Sequence, residues 1–232
     1  MLEMLKSLFK TPVSVFAKSN FVLPDELYPE ERQYVQNASS GRRSEFATGR
    51  HCARMALQNL GIPWAPIQRR SNGAPEWPNG FIGSISHCEN FCVSAVTTTD
   101  RALSIGIDVE INSVLPACEA ELICTEQEIY FLKSQSGRSF HEWVNLSFSA
   151  KESFFKCYFP LTELFFTFHD ARVSFSSDES GHSGDFSITV HTIGGPKIRE
   201  STFLGRWHID SERVYTGVTC MPVETHLMSL KA

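Results

Sequence analysis

Two groups of three short β-type segments constrain the fold of this chain more than any other feature. The six segments are rich in β-branched and aromatic residues, and in order they are Phe81 to His87, Phe91 to Thr97, Ala102 to Glu110, Phe186 to Ile193, Thr202 to Ile209 and Val214 to Met221. Turn-forming residues separate the members of each group. The pattern predicts two antiparallel three-stranded meanders.

Helical patterns precede each group of strands. Apolar residues recur at helical spacing from Ser40 to Gly61, and Pro63 follows. The segment from Glu119 to Lys133 is also predicted to be helical. A further helix is expected from about Ser149 to Phe159, ending before Pro160. The chain therefore predicts an α+β fold.

The repeated order of helix and meander predicts two α+β halves of similar layout. We place the boundary near Asp108 to Ser113, with residues 1–110 in the N-terminal half and 111–232 in the C-terminal half. Functional sites often lie between two such halves. We therefore expect the site at their junction.

Composition excludes several classes of protein. The 232 residues carry a formal charge of -5, which is unlike the basic excess of a general nucleic-acid binder. We find no run of roughly 20 apolar residues and no signal peptide, so we expect a cytoplasmic protein. The seven cysteines include no C-x-x-C pair. We interpret them as buried thiols, although His87, Cys88 and Cys92 are an alternative set of metal ligands.

Three arginines share one face of the first long helix. Arg43, Arg50 and Arg54 are spaced by seven and four residues, which places them within roughly 40° of one another at 3.6 residues per turn. Such a face repels itself unless an anion is present. The spacing therefore indicates local phosphate recognition on an otherwise acidic chain.

A second candidate element is the strand Ser104 to Glu110. Alternation sends Ile105, Ile107 and Val109 to one face, and it sends Asp108 and Glu110 to the other. Neighbouring carboxylates repel each other, and a hard divalent cation such as Mg²⁺ removes that cost. A metal site and a solvated strand end with two surface acids are both compatible with this segment alone.

Two further segments carry candidate residues. Glu152 and Lys156 lie one helical turn apart, either in a site or as an exposed ion pair worth only about 0.3 to 0.5 kcal/mol. Ser86 and His87 end a strand, where both could donate hydrogen bonds to phosphate oxygens. Their side chains point to opposite faces, so His87 is poorly placed to activate Ser86 as a nucleophile.

In their order along the chain, these elements resemble the phosphopantetheinyl transferase superfamily, in its longer single-chain surfactin-type and enterobactin-type branch. The resemblance spans roughly residues 42 to 160 and rests on Gly49-Arg50, Ala53-Arg54, Gly73-Ala74-Pro75, Trp77-Pro78, Gly83 to His87, Ile105 to Glu110 and Phe148 to Lys156. Family members often have tryptophan where Phe148 stands. The segments Phe155 to Thr162 and Phe168 to Ala171 resemble enterobactin synthase component D most, which implies siderophore biosynthesis.

The resemblance implies an enzyme with the 4'-phosphopantetheinyl transferase fold, two halves in a pseudo-twofold arrangement. It would transfer 4'-phosphopantetheine from coenzyme A to a serine of an acyl, peptidyl or aryl carrier protein and release adenosine 3',5'-bisphosphate. Mg²⁺, with Mn²⁺ as an alternative, would be held by Asp108, Glu110 and Glu152. Lys156 would neutralise the leaving oxygen and, with Asp108 and Glu152, form the catalytic set.

The remaining roles implied by the resemblance concern the nucleotide and the proton. Residues expected to engage coenzyme A are Arg43, Arg50, Arg54, Ser86, His87 and Lys156. The acceptor of the serine proton is Glu128, Glu126 or a metal-bound water. Lys151 is expected to face solvent. We expect a monomer whose partner carrier proteins are acidic helical bundles.

Two other functions remain possible at the level of sequence. A different Mg²⁺-dependent nucleotide phosphotransferase is one, although the chain has no G-x-x-x-x-G-K-[ST] loop and no kinase signature. A non-catalytic subunit that only docks carrier domains is the other. The presence of Asp108, Glu110 and Lys156 favours the transferase over the docking subunit.

Overall fold

The computed structural model describes residues 1–113, 117–190 and 201–221. Its helices are α1 (Leu2–Ser7), α2 (Pro29–Arg32), α3 (Ser40–Gln58), α4 (Ala117–Ile123), α5 (Glu126–Ser134) and α6 (Phe140–Thr162). Its strands are β1 (Ser14–Ser19), β2 (Phe81–Cys88), β3 (Phe91–Thr98), β4 (Ser104–Ile111), β5 (Ala171–Ser177), β6 (Ser183–Val190), β7 (Ser201–Ile209) and β8 (Arg213–Cys220). The predicted α+β class is confirmed.

The strands form two antiparallel sheets. The first has the order β1-β3-β2 and the second the order β4-β8-β7-β6-β5. The second group of predicted strands is confirmed as the consecutive strands β6, β7 and β8, and β5 extends them. Residues 191–193 of the predicted first strand of that group lie outside the described residues.

The prediction that the first three segments form one meander is wrong for its third strand. β2 and β3 pair as expected, but β4 pairs with β8, with Asp108 opposite Thr216. β1 takes the other edge of β3, with Ser14 opposite Val96. Alternation identifies a strand, whereas its partner depends on packing against segments far away in the sequence.

The helix α6 is longer than predicted. It begins after Ser139, whose hydroxyl accepts a hydrogen bond from the backbone N–H of Glu142, and the Glu142 carboxylate caps Ser139 in return. It continues through Pro160, because a proline in the last turn removes only one helical hydrogen bond. The segment 119–133 is in fact two helices, separated by a second capping box of Thr125 and Glu128.

β2 and β4 lie side by side and are joined by serine hydroxyls. The Oγ of Ser84 accepts from the backbone N–H of Ile107 at 3.1 Å, and the Oγ of Ser86 accepts from that of Val109 at 3.3 Å. Both contacts have the same sequence offset, so the two strands run parallel at this junction. The two sheets therefore meet along a seam of side-chain hydrogen bonds.

β4 is buried on both faces. On one face Ile105, Ile107 and Val109 share a core with residues from both ends of the chain, including Leu5 and Tyr215. On the other face α6 lies directly on the strand, as a Cβ at Gly106 would come within 1.8 Å of the carbonyl oxygen of Ser153. This close approach places Glu152 and Lys156 beside Asp108 and Glu110.

None of the helices in the described part of the chain combines the length and apolar character that a membrane crossing requires.

Candidate active site

A polar cavity of about 340 Å³ lies where α3, β2, β4 and α6 meet. Most of the predicted site residues line it, namely Arg50, Ser86, His87, Asp108, Glu110, Glu152 and Lys156. The acidic strand and the Lys-Glu helix are thus brought together with the arginine helix. Arg43 and Arg54 are not among its lining residues.

Asp108 is the centre of the hydrogen bonding in this cavity. Its side chain is only 1% exposed, and its Oδ1 accepts from the Nζ of Lys156 at 2.6 Å and from the Oγ of Ser86 at 2.8 Å. Its Oδ2 is buried and has no hydrogen-bond partner among the described residues. A buried carboxylate oxygen without a partner is costly, so this atom is suited to bind a ligand.

The other two carboxylates repel one another across the cavity. Burial, followed by the charges of Asp108 and Glu152, raises the pKa of Glu110 to about 8, although Lys156 partly offsets them. Burial and the Asp108 charge also raise the pKa of Glu152. Both groups therefore bind protons more readily than usual, and an added cation would stabilise their charged forms.

Lys156 is the cation that the protein itself supplies to these carboxylates. Burial acts to lower its pKa, but Asp108, Glu152 and Glu110 together outweigh burial and hold the pKa above its usual value. Lys156 is therefore charged at neutral pH. Its ammonium group can neutralise a neighbouring carboxylate or another anion in the cavity.

Arg50 is a buried cation at the wall of the cavity. Its Nε donates to the carbonyl oxygen of Ile67 at 2.7 Å, and its guanidinium lies 4.4 Å from the centre of the Phe46 ring. Burial lowers its pKa to about 10, so it remains charged at neutral pH. These contacts fix the guanidinium at a site that an anion can reach.

His87 is linked to an arginine that the sequence analysis did not select. Nη1 of Arg42 lies 3.0 Å from the Nε2 of His87 and donates to Glu45 at 3.1 Å. Burial lowers the pKa of His87, and the positive charges of Arg42 and Lys156 act in the same direction against Glu45. The imidazole is therefore neutral at pH 7 and lies among cations.

Arg54 pairs with a buried carboxylate and does not line the cavity. Its Nη1 donates to both carboxylate oxygens of Glu31, at 2.8 and 3.0 Å, and both side chains are fully buried. Glu31 also accepts from the backbone N–H of Ile67. The anion that the arginine face requires is thus supplied at Arg54 by a residue of α2, and the binding of coenzyme A by Arg54 stays a prediction.

Glu128 and Lys151 form a second buried ion pair. Nζ of Lys151 donates to Glu128 at 2.9 Å and to the carbonyl oxygens of Ile123 and Phe168. The other oxygen of Glu128 accepts from the backbone N–H of Val173. The prediction that Lys151 faces solvent is wrong. Glu128 is held in this ion pair and does not line the cavity, so Glu128 is poorly placed to accept the serine proton.

A second, more apolar cavity of about 400 Å³ adjoins the first. The two share five lining residues, namely Arg69, Gly73, Pro75, Ile85 and Lys156. The apolar part of its wall comes from Trp77, Ile82, Leu103, Phe155, Phe159, Leu161 and Phe165. The two cavities can therefore hold one elongated ligand that has a charged end and a less polar end.

The donor atoms of the polar cavity suit a hard divalent cation. They are carboxylate oxygens, and one of them is the buried, unpartnered Oδ2 of Asp108. In the described part of the chain, no three His, Cys, Asp or Glu side chains are already placed to hold a metal. Mg²⁺ keeps several waters and substrate phosphates and needs only one or two carboxylates, so the residues fit. Five of the seven cysteines are buried, including Cys88 and Cys92, but Cys118 is exposed and Cys220 is half-buried, so the interpretation of all seven as buried thiols is wrong for these two.

Comparison with known proteins identifies the family. The family model of the 4'-phosphopantetheinyl transferase N-terminal domain matches residues 30–97, and that of the 4'-phosphopantetheinyl transferase superfamily matches residues 104–213. The 4'-phosphopantetheinyl transferase PptT of Mycobacterium tuberculosis is 36% identical over 82% of this chain and 84% of its own length. The chain belongs to the 4'-phosphopantetheinyl transferase superfamily.

Two further relatives match different shares of the chain. The 4'-phosphopantetheinyl transferase Svp of Streptomyces mobaraensis is 37% identical over 83% of this chain and 78% of its own length. Enterobactin synthase component D of Escherichia coli is 36% identical over 61% of this chain and 66% of its own length. The protein is therefore an enzyme that transfers 4'-phosphopantetheine to carrier proteins.

Sequence reasoning missed several residues at the site of this transferase. Arg42, Glu45 and Arg69 line the polar cavity. Arg42 was missed because it lies on the helix face beside the selected arginines, and Arg69 was missed because it lies in an irregular connection. A basic residue in the glycine-rich and proline-rich connection was the available signal for Arg69. Glu45, three residues after Arg42, was the signal for the ion pair.

Proposed function

We propose that the polar cavity of this transferase binds the diphosphate and nucleotide end of coenzyme A together with one Mg²⁺. The observation that carries this proposal is the meeting of three carboxylates with Lys156 and Arg50 in one cavity. The carboxylates supply oxygen donors, while the arginines and the lysine supply positive charge for phosphate. Without the positive groups the three carboxylates would repel one another, and without the carboxylates the arginine and the lysine would do so.

The residues that would hold the metal are Asp108, Glu110 and Glu152. When bound, Mg²⁺ supplies positive charge to the diphosphate and polarises the phosphorus that is attacked, and Mn²⁺ can serve as an alternative. Asp108 presents its unpartnered Oδ2, while its Oδ1 stays hydrogen-bonded to Ser86 and Lys156.

The nucleotide phosphates are bound by cations of the first half of the chain. Arg50 and Arg42 provide guanidinium groups, whose planar forks suit phosphate oxygens. Arg69 and His87 lie on the same cavity wall. The pantetheine arm then occupies the adjoining apolar cavity, beside Phe155 and Phe159.

Transfer needs one bond to form and one to break. The Oγ of the carrier serine attacks the phosphorus that bears pantetheine, and the phosphorus–oxygen bond to the adenosine bisphosphate breaks. Lys156 neutralises the charge that develops on the departing oxygen. The serine proton passes to a water or carboxylate in the cavity, because Glu128 is engaged elsewhere and Glu126 lies on the exposed start of α5.

We assign the acceptor serine to carrier domains of a siderophore-type synthetase. In this proposal the enzyme is a monomer and acts in the cytoplasm. The support is the similarity to proteins named enterobactin synthase component D. Carrier domains of polyketide and fatty-acid synthases are the competing acceptors. Relative rates with one purified carrier of each type decide among them.

Intact-mass analysis of a purified apo carrier protein tests the proposed roles. With the enzyme, coenzyme A and Mg²⁺, the carrier is expected to gain one phosphopantetheine group, and EDTA should abolish the gain. The Asp108→Asn variant should lower the rate by about 10² or more, since it removes a charged group at the reacting phosphate. The matched control is Asp100→Asn, in an exposed turn, which should behave like the wild type.

Three outcomes would contradict the proposal. Binding of several carriers without any mass gain would indicate the docking subunit. Hydrolysis of a nucleoside triphosphate in place of release of adenosine 3',5'-bisphosphate would indicate a different phosphotransferase. Wild-type activity of the Asp108→Asn variant would show that Asp108 does not hold the metal.

A further inference from the structure

A short hairpin, residues 68–76, lies at the border between the two cavities. The backbone N–H of Arg70 donates to the carbonyl oxygen of Ala74 at 2.9 Å, and that of Glu76 donates to Gln68 at the same distance. The hairpin residues that line both cavities are Arg69, Gly73 and Pro75. We call this hairpin the strap, because it contributes to the walls of both cavities.

The tip of the strap is bound to the end of α6. Nδ2 of Asn72 donates to the Oε1 of Glu163 at 3.0 Å, although the two residues are 91 positions apart. Oδ1 of Asn72 accepts from the backbone N–H of Ala74 at 3.1 Å. An N–H can only donate, so the amide oxygen must face Ala74 and the amide NH₂ must face the carboxylate. The orientation of the Asn72 amide is therefore determined by its partners.

Glu163 has a backbone conformation that usually belongs to glycine. It is the C-cap residue of α6 and lies in the left-handed region, with φ 56° and ψ 17°. Glycine is the common residue at such a position, because a Cβ makes this conformation costly. Here the position carries a glutamate, and its carboxylate holds the strap. A side chain retained in a costly conformation indicates a role for that side chain.

The contact lies at one end of the apolar cavity. Lys156 lines both cavities, and Phe159 and Leu161 continue the apolar wall along α6. Glu163 follows Lys156 by two helical turns, about 10 Å along the axis at 1.5 Å per residue. Asn72 lines the same cavity from the strap. The hydrogen bond therefore joins two walls of the apolar cavity at the end away from Lys156.

We propose that the Asn72–Glu163 hydrogen bond is a latch that holds the strap over the pantetheine arm of coenzyme A. In the proposed function the reacting phosphate lies near Lys156 and the arm extends into the apolar cavity, so its thiol end lies towards the latch. A closed latch retains the arm and limits the size of a group attached to the sulfur. Asn72 and Glu163 are then specificity-determining residues. This inference rests on the proposed place of the arm.

The charges of the latch allow a test by exchange. Asn72→Asp keeps an oxygen that accepts from Ala74 but places a second carboxylate against Glu163, so it should open the latch. Glu163→Gln keeps an acceptor for Asn72 and should leave the latch closed. The double variant Asn72→Asp/Glu163→Gln again places an acid opposite an amide and should restore it. The matched control is Asn79→Asp, the same change in the exposed turn that follows the strap.

Two ligands separate the arm from the nucleotide. In calorimetry, the affinity of Asn72→Asp for coenzyme A should fall about three- to tenfold, as expected for the loss of one hydrogen bond. Its affinity for adenosine 3',5'-bisphosphate, which lacks the arm, should stay within about twofold of the wild type. Glu163→Gln and the double variant should bind both ligands like the wild type. Melting temperatures check that every variant is folded.

A thioester reports the size limit. The probe is benzoyl-coenzyme A, and the readout is the ratio of its kcat/KM to that of coenzyme A, measured by the intact mass of the carrier. Asn72→Asp should raise this ratio about threefold or more, since the open end no longer excludes the ring at the cost of one hydrogen bond. The double variant should return the ratio to the wild-type value.

Several results would overturn the latch. Equal losses of affinity for coenzyme A and the bisphosphate in Asn72→Asp would place the effect at the nucleotide. Changes no larger than those in Asn79→Asp would show that the contact holds nothing. A double variant as weak as Asn72→Asp would separate the effect from the pair of charges. If the wild type binds coenzyme A no more tightly than the bisphosphate, the proposed place of the arm fails and the latch fails with it.

Discussion

Burial controls the protonation of Glu110 and His87 more than their pairwise contacts do, whereas at Lys156 the neighbouring carboxylates outweigh burial. Glu110 and His87 lie at the same cavity, and in each case burial is the largest cause of the shift. Burial disfavours the charged form, so the carboxyl pKa rises to about 8 while the imidazole pKa falls. Burial therefore favours the neutral forms of both groups, whereas a ligand of opposite charge would stabilise their charged forms.

Binding of a phosphate should raise the pKa of His87. In the free protein burial keeps this pKa below its usual value of about 6.5, so the ring is neutral at pH 7. A phosphate anion favours the protonated ring, so binding takes up a proton and strengthens as pH falls from the pKa of the bound state to the lower pKa of the free protein. NMR titration of the imidazole with adenosine 3',5'-bisphosphate should raise its midpoint by about one pH unit or more.

His208 provides an internal control for that titration. Burial also lowers its pKa, but it lines a separate cavity with Trp207 and Asp185. Its midpoint should not change when the bisphosphate is added. Equal movement of both histidines, or no movement of His87, would contradict a phosphate site at His87.

Single residues differ in how far the sequence could predict them. Asp108 and Glu110 were predicted as a pair because strand alternation is a local property. The ion pairs of Arg54 and Glu128 were not predicted, because their partners, Glu31 and Lys151, are 23 residues away in each case. Nothing in a local pattern distinguishes a charge that is paired at such a distance from one that awaits a ligand.

Among the secondary-structure elements, the contact of α6 with β4 determines the geometry of the site. Gly106 allows the helix backbone to approach the strand, and a Cβ there would lie 1.8 Å from the Ser153 carbonyl oxygen. Glu152 lies beside Ser153 in the sequence, and Lys156 follows within the same helix. The distance between helix and strand therefore sets the distance between Lys156 and Asp108.

Gly106→Ala should lower both stability and transfer. The added methyl group must move α6, because its obstacle is backbone, and overpacking of this kind costs about 1–3 kcal/mol or more. Urea unfolding monitored by circular dichroism should show this loss, and the transfer rate should fall as Lys156 moves away from Asp108.

Gly41→Ala is the matched control, since nothing lies within 4 Å of a Cβ built at that helical position. It should leave stability unchanged or raise it by less than about 1 kcal/mol. A Gly106→Ala variant as stable and active as Gly41→Ala would show that α6 does not rest on β4.

The sequence predicted which segments are strands better than it predicted how they pair. The boundaries of β2, β3 and β8 differ from the predicted ones by one residue at most, because turns mark both ends of each strand. β1 and β5 were missed. The pairing of β4 with β8 joins distant parts of the chain, and turn signals carry no information about it.

Viewed as a whole, the molecule has a core that spans both proposed halves. Leu5 and Phe91 pack with Ile105 of β4 and with Tyr215 of β8 in one buried cluster. The division at residue 110 assigns β4 to the first half, yet its hydrogen-bonding partner lies in the second. Two halves that share a core and a strand pair should unfold together.

A fragment of residues 1–110 should not fold by itself. It lacks β8, which leaves the backbone of β4 unpaired and removes Tyr215 from the shared core. Circular dichroism and amide NMR spectra of the fragment should show an unfolded or aggregated chain. The full chain should give coincident urea transitions by tryptophan fluorescence and by circular dichroism. A folded fragment, or two separate transitions, would support two independent domains.

The order in which the strands are synthesised has a consequence for the ribosome-bound chain. β4 carries Asp108 and Glu110, but its partner β8 is made about a hundred residues later, with Asp108 opposite Thr216. Until then the acidic strand has an open edge and the helix α6 has only part of its support. The cleft is thus completed only after β8 has been synthesised, so a nascent chain that has not yet reached β8 cannot modify a carrier domain.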